Sequence, residues 1–188
     1  MRKTVLLLVA MASTVLLISG IALAANISCP NGGHKNGYFY CHGTSASDSI
    51  NGTGKSDRIR AGAGEDTARG LGAVDDIYGD GGRDLIYGGN GEDGLWGGGG
   101  GSPNYNDSSD DVVHGGDGHD NIYAGWANGG VDRVYGEGGS DWINAAQRAN
   151  GQVKVTREII DCGAGNSDYV AYDQGLDTIK NCEQRDPY

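Results

Sequence analysis

The sequence predicts an all-β solenoid built from nine-residue half-coils, two to each coil. Three observations predict it: a nine-residue period, an aspartate that recurs at one position of that period, and 36 glycines against one phenylalanine in 188 residues. Such a composition cannot fill a thick globular core, so the chain is either disordered or a repeat fold in which each unit buries little. A sustained period favours the repeat fold.

The first 24 residues predict an export signal. Arg2 and Lys3 precede an uncharged apolar run from Val5 to about Ala24, and the run ends in the Ala-Leu-Ala pattern that signal peptidase cuts. A retained membrane anchor is the alternative, because about 20 apolar residues can span a bilayer. The cleavage pattern favours a secreted, extracellular protein with no membrane attachment after the signal is removed.

The mature chain is strongly acidic. Removing the signal takes away two basic residues and no acidic ones, so the formal net charge moves from −11 to −13. Such a surface repels nucleic acid and anionic lipid and attracts cations, and we expect no nucleic-acid partner. The remaining length is enough for one domain.

From Gly43 to Tyr123 the sequence aligns in nine units of nine residues. Position six is aspartate in eight of the nine units, and position eight is apolar in eight of them. A disordered chain has no reason to hold this phase. The units read GTSASDSIN, GTGKSDRIR, AGAGEDTAR, GLGAVDDIY, GDGGRDLIY, GGNGEDGLW, GGGGGSPNY, NDSSDDVVH and GGDGHDNIY.

Beyond Tyr123 the phase slips, but the pattern acid-x-apolar-x continues. It recurs from Asp132 and Asp141, and then, after a less regular segment, from Glu158, Asp168 and Asp177.

The letters of one unit predict its conformation. The first six positions are rich in glycine, which takes the positive φ angles that a tight turn needs. The last three place one apolar side chain between two variable ones, as in a short strand with one inward residue. Units i and i+2 should stack about 4.8 Å apart, which gives about seven coils and a height of roughly 30 Å over residues 43–180.

Stacking the units also stacks their aspartates into two columns. Carboxylates at this spacing repel one another, and the glycine-rich turns present carbonyl oxygens beside them, so a hard cation with oxygen ligands is indicated. Calcium fits better than magnesium because it accepts six to eight oxygens in irregular geometry. The predicted columns are Asp48, Asp66, Asp84 and later members on one edge, and Asp57, Asp75, Asp93 and Asp111 on the other.

The units resemble the GGxGxDxUx nonapeptide of the RTX, or haemolysin-type, calcium-binding repeat family. The closest copies are GGNGEDGLW at 88–96 and GGDGHDNIY at 115–123, with near matches at 79–87 and 136–144. The resemblance covers 43–144 strongly and 145–182 loosely. It implies a parallel β-roll in which six-residue turns bind structural Ca²⁺, so that binding and folding are linked.

The resemblance also implies which residues ligate calcium. Asp84, Asp93, Asp120 and Asp141 lie in the turns nearest to the family pattern, whereas GGGGGSPNY, with Ser102 at position six, is expected to hold no metal. The full set of expected ligands is Asp57, Asp66, Asp75, Asp84, Asp93, Asp111, Asp120, Asp132 and Asp141.

Four cysteines in an exported protein predict two disulfides. Cys29 and Cys41 flank the segment before the first repeat, and Cys162 and Cys182 flank the last two strand signals. Three connectivities are open. The local pairing is the simplest, and it would staple both open ends of the solenoid.

The predicted organisation has four parts. A signal at 1–24 is followed by a Cys-bounded cap at 25–42, a calcium-binding roll at 43–144, and degenerate repeats with a second Cys-bounded cap at 145–188. A zinc site that combines His34 and His42 with the first two cysteines is an alternative for the cap, although its spacing fits no standard zinc site.

No nucleophile–base arrangement is present, so we expect no enzyme. His114 and His119 occupy variable positions, where exposed side chains are expected, and the glycines of Gly89-x-Gly91-x-x-Gly94 belong to the repeat and not to a dinucleotide fingerprint. The alternatives are a polysaccharide lyase or epimerase on a parallel β-helix, and a calcium-dependent adhesion or self-assembly module.

Aromatic residues recur at position nine. Tyr78, Tyr87, Tyr123 and Tyr135, with Trp96, predict an exterior ladder that braces adjacent strands. The alternative is a carbohydrate-stacking face for a cell-surface or matrix polysaccharide. Segments 99–110 and 124–130 are expected to loop out, and the sequence sets no oligomeric state.

Overall fold

A computed structural model of the protein describes residues 23–30, 32–99, 107–124, 130–146, 148–149, 152–153 and 156–188. Most of the predicted signal, residues 1–22, lies outside these ranges, as do parts of both segments that were expected to loop out. The described ranges hold no helix long and apolar enough to cross a membrane.

Two mainly parallel sheets face each other, and most successive strands of the chain alternate between them. The first sheet contains β1 (Asn26–Ser28), β4 (Ser49–Asn51), β6 (Thr67–Gly72), β8 (Leu85–Asn90), β10 (Val112–Gly118), β12 (Arg133–Gly139), β16 (Ile159–Asp161), β17 (Ala164–Gly165) and β19 (Thr178–Lys180). The second contains β2 (His34–Lys35), β3 (Tyr38–His42), β5 (Asp57–Ala63), β7 (Asp76–Gly81), β9 (Gly94–Trp96), β11 (Asn121–Tyr123), β13 (Trp142–Asn144), β18 (Tyr169–Tyr172) and β20 (Gln184–Pro187). A separate hairpin joins β14 (Arg148–Ala149) to β15 (Gln152–Val153). This architecture confirms the predicted parallel roll.

The register of the sheets stacks position eight on position eight. Ile59 pairs with Ile77, and Ile77 pairs with Leu95, and none of the three is exposed to solvent. Each repeat strand therefore places its position-eight side chain inward, and the stack joins these side chains into a continuous core. Fully burying one such side chain stabilises the fold by about 1.5–3 kcal/mol, so stability depends on many coils together.

Among the described residues, the unit at 97–105 contributes no strand to either sheet. β8 pairs directly with β10, and β9 pairs directly with β11, so the strand after the insertion returns to the first sheet. The prediction that Asp111 shares a column with Asp93 was therefore wrong: Asp111 stacks on Asp84, 27 residues earlier. The reason lies in the letters of this unit, which has Ser102 where an aspartate closes the turn and Asn104 where an apolar residue should point inward.

Both Cys-bounded ends continue the sheets. β1 pairs with β4 and β3 with β5, so the N-terminal segment forms a coil of its own. Disulfides join Cys29 to Cys41 and Cys162 to Cys182, with Cα–Cα distances of 5.5 and 5.2 Å. This is the local pairing, and it takes the first two cysteines out of the alternative zinc site.

Candidate metal centre

The position-six aspartates form two buried ladders along the stack. The backbone N–H of each aspartate donates to Oδ1 of the aspartate in the next coil: Asp66 to Asp84 at 2.9 Å, and Asp75 to Asp93 at 2.8 Å. The first ladder comprises Asp48, Asp66, Asp84, Asp111 and Asp132. The second comprises Asp57, Asp75, Asp93, Asp120, Asp141 and Asp168.

The second carboxylate oxygen, Oδ2, is buried without a hydrogen-bond donor in most of these residues. A buried anionic oxygen without a partner is costly, so a cation or a proton is needed beside it. Among the described residues of the ladders, these unpartnered Oδ2 atoms belong to Asp66, Asp75, Asp84, Asp93, Asp120, Asp141 and Asp168.

The position-one glycine lies where oxygens of two coils meet. A Cβ atom on Gly88 would lie 2.5 Å from Asp93 Oδ2 and 2.5 Å from the carbonyl oxygen of Gly115, which belongs to the next coil. An unpartnered carboxylate oxygen and a main-chain oxygen therefore converge on the same side of Gly88, and both are types of ligand that Ca²⁺ prefers. The same two kinds of oxygen surround Gly115, where Asp120 Oδ2 and the Gly136 carbonyl converge.

Glycine serves two different purposes in these turns. Position one needs glycine for space, as at Gly88, whereas positions two and four take positive φ, as at Gly89 (115°) and Gly91 (155°). Leu71 and Ala73 accept positive φ at the same two positions, at 84° and 73°. The positive-φ turn is thus retained even where the family pattern is degraded.

Burial raises the pKa of the ladder carboxyls from Asp66 and Asp75 onward, and the carboxylates of neighbouring coils add to this effect in most of them. Backbone hydrogen bonds oppose the rise without cancelling it. The raised pKa values are about 6 for Asp66, Asp93 and Asp141, about 7 for Asp120 and Asp132, about 8 for Asp75, and about 9 for Asp84 and Asp111.

The first two turns supply hydrogen-bond donors to Oδ2 of their aspartates. Asp48 Oδ2 accepts hydrogen bonds from the backbone N–H of Thr44 at 2.6 Å and from its hydroxyl at 2.8 Å, while Oδ1 accepts from the Ala25 N–H at 2.7 Å. Asp57 Oδ2 accepts the same pair of hydrogen bonds from Thr53, at 2.5 and 3.0 Å. Threonine at position two therefore supplies donors that the glycine turns lack.

Asp107 is a buried carboxylate that the sequence analysis did not select. It occupies position two of the unit at 106–114, and its side chain lies beside that of Asp111. Oδ1 accepts from the N–H of Ser109 at 3.1 Å, whereas Oδ2 has no donor among the described residues. The signal is visible in the sequence, since Asp107 replaces the glycine or threonine that most other turns have at position two.

A third group of carboxylates lies outside the two ladders. Three carboxylate oxygens lie within 4.8 Å of one another, one from each of Glu158, Asp173 and Asp177. The backbone N–H groups of Glu158 and Asp173 donate to Asp177, at 3.0 and 2.7 Å. The sequence identified Glu158 and Asp177 as strand markers only, because the turn that holds Asp173 follows no repeat.

The position-nine aromatic rings stack on one another along the outside of each sheet. Tyr78 and Trp96 lie 4.4 Å apart between ring centroids, and Trp96 and Tyr123 lie 5.2 Å apart, with interplanar angles of 11° and 3°. On the other sheet, His114 stacks between Tyr87 and Tyr135 at 4.9 and 4.7 Å. Since the rings cover each other's faces, the geometry favours strand bracing over the stacking of sugars.

Comparison with known families agrees with this geometry. A family model described as "RTX calcium-binding nonapeptide repeat (4 copies)" matches residues 42–73, 69–101 and 107–129. No curated protein and no solved structure matches the chain. The resemblance noted in the sequence is confirmed for these residues, which carry RTX calcium-binding repeats.

Proposed function

We propose that this chain, whose residues 42–129 carry RTX calcium-binding repeats, is a secreted protein that binds several structural Ca²⁺ ions and folds when it binds them. One observation carries the proposal: buried, unpartnered Asp Oδ2 atoms converge with main-chain carbonyl oxygens of the next coil. Carboxylate and carbonyl oxygens are the ligands that calcium prefers.

The proposed ligands are the position-six carboxylates and the carbonyl oxygens at position one of the next coil. Bound calcium would supply positive charge between carboxylates that otherwise repel. Asp57 is the weakest member, because Thr53 already occupies its Oδ2 and only Oδ1 is without a donor among the described residues. The other proposed members are Asp66, Asp75, Asp84, Asp93, Asp111, Asp120, Asp132 and Asp141.

Coupling to folding follows from the burial of these groups. Without a cation, the ladders place several anionic oxygens in an interior that water does not reach, which destabilises the roll. With a cation, the same oxygens join successive coils. Calcium sites with dissociation constants of about 10⁻⁴–10⁻³ M are sufficient outside the cell. Two disulfides are typical of proteins in that oxidising environment.

A calcium titration of the mature chain, residues 25–188, tests the proposal. Calorimetry on protein dialysed free of calcium should show several Ca²⁺ bound per chain, and Mg²⁺ at equal concentration should not replace them, because magnesium demands regular octahedral geometry. Absence of binding up to about 10 mM Ca²⁺, well above the range of extracellular modules, would overturn the proposal.

The proposal includes no catalytic residue. His114, the best-placed candidate for acid–base chemistry, is a rung of the aromatic ladder, and its Nδ1 lies 2.7 Å from Glu137 Oε1. Incubation with alginate or pectate in the presence of Ca²⁺ should give no unsaturated product. Turnover of either polysaccharide would favour the lyase or epimerase alternative.

A further inference from the structure

The turn that contains Asp107 has the geometry of the first two turns and not that of the glycine turns. The N–H of Ser109 donates to Asp107 Oδ1 at 3.1 Å, just as the N–H of Ala46 donates to Thr44 Oγ1 at 3.1 Å. Neither Asp107 nor Ser109 takes the positive φ that the glycine turns have at positions two and four. Asp107 therefore stands where the first two turns have threonine.

This replacement reverses the chemistry at position two. Thr44 donates its hydroxyl hydrogen to Asp48, whereas an ionised Asp107 has nothing to donate to Asp111. Asp107 is only 7% exposed, and its Oδ2 has no donor among the described residues. Two buried carboxylates within reach of each other need a shared proton or a cation between them, and a cation binds both in their charged form.

The neighbouring coils add two further carboxylates to this pair. Asp84 lies one coil before Asp111 and Asp132 one coil after it, both linked to it through the ladder hydrogen bonds. Asp84 Oδ2 is also buried and unpartnered, and the negative charge of Asp107 acts on both Asp84 and Asp132. Asp80, which also occupies position two, differs because Arg60 neutralises it at 3.0 Å.

We propose that Asp107 is a calcium ligand outside the repeat motif, and that with Asp84, Asp111 and Asp132 it forms the tightest cation site among the described turns. This inference rests on the proposed function, that the ladders bind calcium. Asp107 adds one carboxylate to those that the repeat motif supplies. Because calcium affinity rises with the number of charged ligands, the site in the middle of the first ladder should fill first.

Asp107→Asn tests the inference directly. Asparagine keeps a carbonyl oxygen that can accept from Ser109, so the turn is retained while the charge is removed. In calorimetric titrations with Ca²⁺ alone, the tightest class of sites should weaken by about tenfold or more, and the weaker sites should stay unchanged. Asp117→Asn is the matched control, since Asp117 is an exposed aspartate on β10, the strand that follows the turn of Asp107, and its loss should change nothing.

Asp107→Thr is the second variant, and it is decisive if Asp107→Asn folds poorly. Threonine should donate to Asp111 as Thr44 does to Asp48, so this variant should lose the tight site and yet be more stable than the wild type without calcium. A tight class that persists in both variants would overturn the inference while leaving the proposed function intact. A wild-type chain that binds no calcium would overturn both.

Discussion

The two oxygens of one ladder aspartate have different roles. Oδ1 of Asp93 accepts a hydrogen bond from the N–H of Asp75 and so joins one coil to the next, whereas Oδ2 lies close to Gly88. A substitution that keeps an acceptor at Oδ1 and removes the charge therefore separates the structural role from metal binding.

Asp93→Asn should weaken calcium binding at its site by about tenfold or more, because a charged ligand is lost. Asp48→Asn should leave the number of bound calcium ions unchanged, because both oxygens of Asp48 already accept hydrogen bonds from the protein. Calorimetric titration of the two variants provides the comparison, and equal losses of calcium binding would contradict it.

Gly88→Ala should disrupt its turn. A Cβ atom there would lie 2.5 Å from Asp93 Oδ2 and from the Gly115 carbonyl oxygen. Both oxygens, and the coils that hold them, would have to move apart. Gly54→Ala is the control, because a Cβ atom at Gly54 meets nothing within 4 Å. Thermal unfolding in 10 mM Ca²⁺ should show a much lower melting temperature for Gly88→Ala and a nearly unchanged one for Gly54→Ala. Equal melting temperatures would contradict the close approach of the two oxygens to Gly88.

The raised pKa values of the ladder carboxyls predict the behaviour of the calcium-free chain with pH. Carboxyls with ordinary values near 3.8 rise to between about 6 and about 9 in the roll, so the folded chain binds more protons than the unfolded chain across this window. The stability of the calcium-free roll is therefore greatest at low pH and is lost as the pH rises through about 6 to 9. Circular dichroism of dialysed protein should show more β structure at pH 5 than at pH 8, and the opposite order would refute the burial of these groups.

Two kinds of turn occur within one repeat pattern. Glycine turns leave Oδ2 of the aspartate without a donor, whereas the turns with Thr44 and Thr53 satisfy it from within the same unit. In the first complete coil of the repeats, hydrogen bonds from Thr44 and Thr53 thus replace a cation at Oδ2 of Asp48 and Asp57.

Thr53→Val tests this distinction. Removing the hydroxyl deletes its hydrogen bond to Asp57 and the one it accepts from Lys55, which should destabilise the chain by about 1–3 kcal/mol. The loss of stability in Thr53→Val should be independent of calcium, whereas the loss of stability in Asp93→Asn should appear only when calcium is present. Urea denaturation at several calcium concentrations separates the two, and a Thr53→Val effect that vanishes in excess calcium would contradict the assignment.

The sequence predicted most of the strands and failed where a unit lacks the aspartate and the apolar residue of the repeat. The strand ending each unit, its inward residue such as Ile77 or Leu95, and the parallel stacking all follow from the period. The even spacing predicted Asp111 in the column of Asp93, whereas Asp111 stacks on Asp84, because the unit at 97–105 has Ser102 and Asn104 where the repeat has an aspartate and an apolar residue. The acid at position two distinguishes Asp107 in the sequence, but its proposed role depends on Asp84 and Asp132, which belong to other coils.

On the scale of the whole molecule, two opposing features share one stack. A continuous apolar column and a disulfide at each end hold the coils together, while two ladders of buried carboxylates and a net charge of −11 on the full chain drive them apart. The disulfides join residues 12 and 20 positions apart, so they constrain the ends and leave the middle of the chain dependent on the ladders.

Far-UV circular dichroism of the mature chain at pH 8, with both disulfides intact, tests the central claim most directly. In calcium-free buffer the spectrum should be that of a largely disordered chain, and added Ca²⁺ should convert it to a β spectrum with a midpoint in the range of about 10⁻⁴–10⁻³ M. A β spectrum that is the same with and without calcium would show that the ladders are stable on their own, and would contradict the linkage of calcium binding to folding.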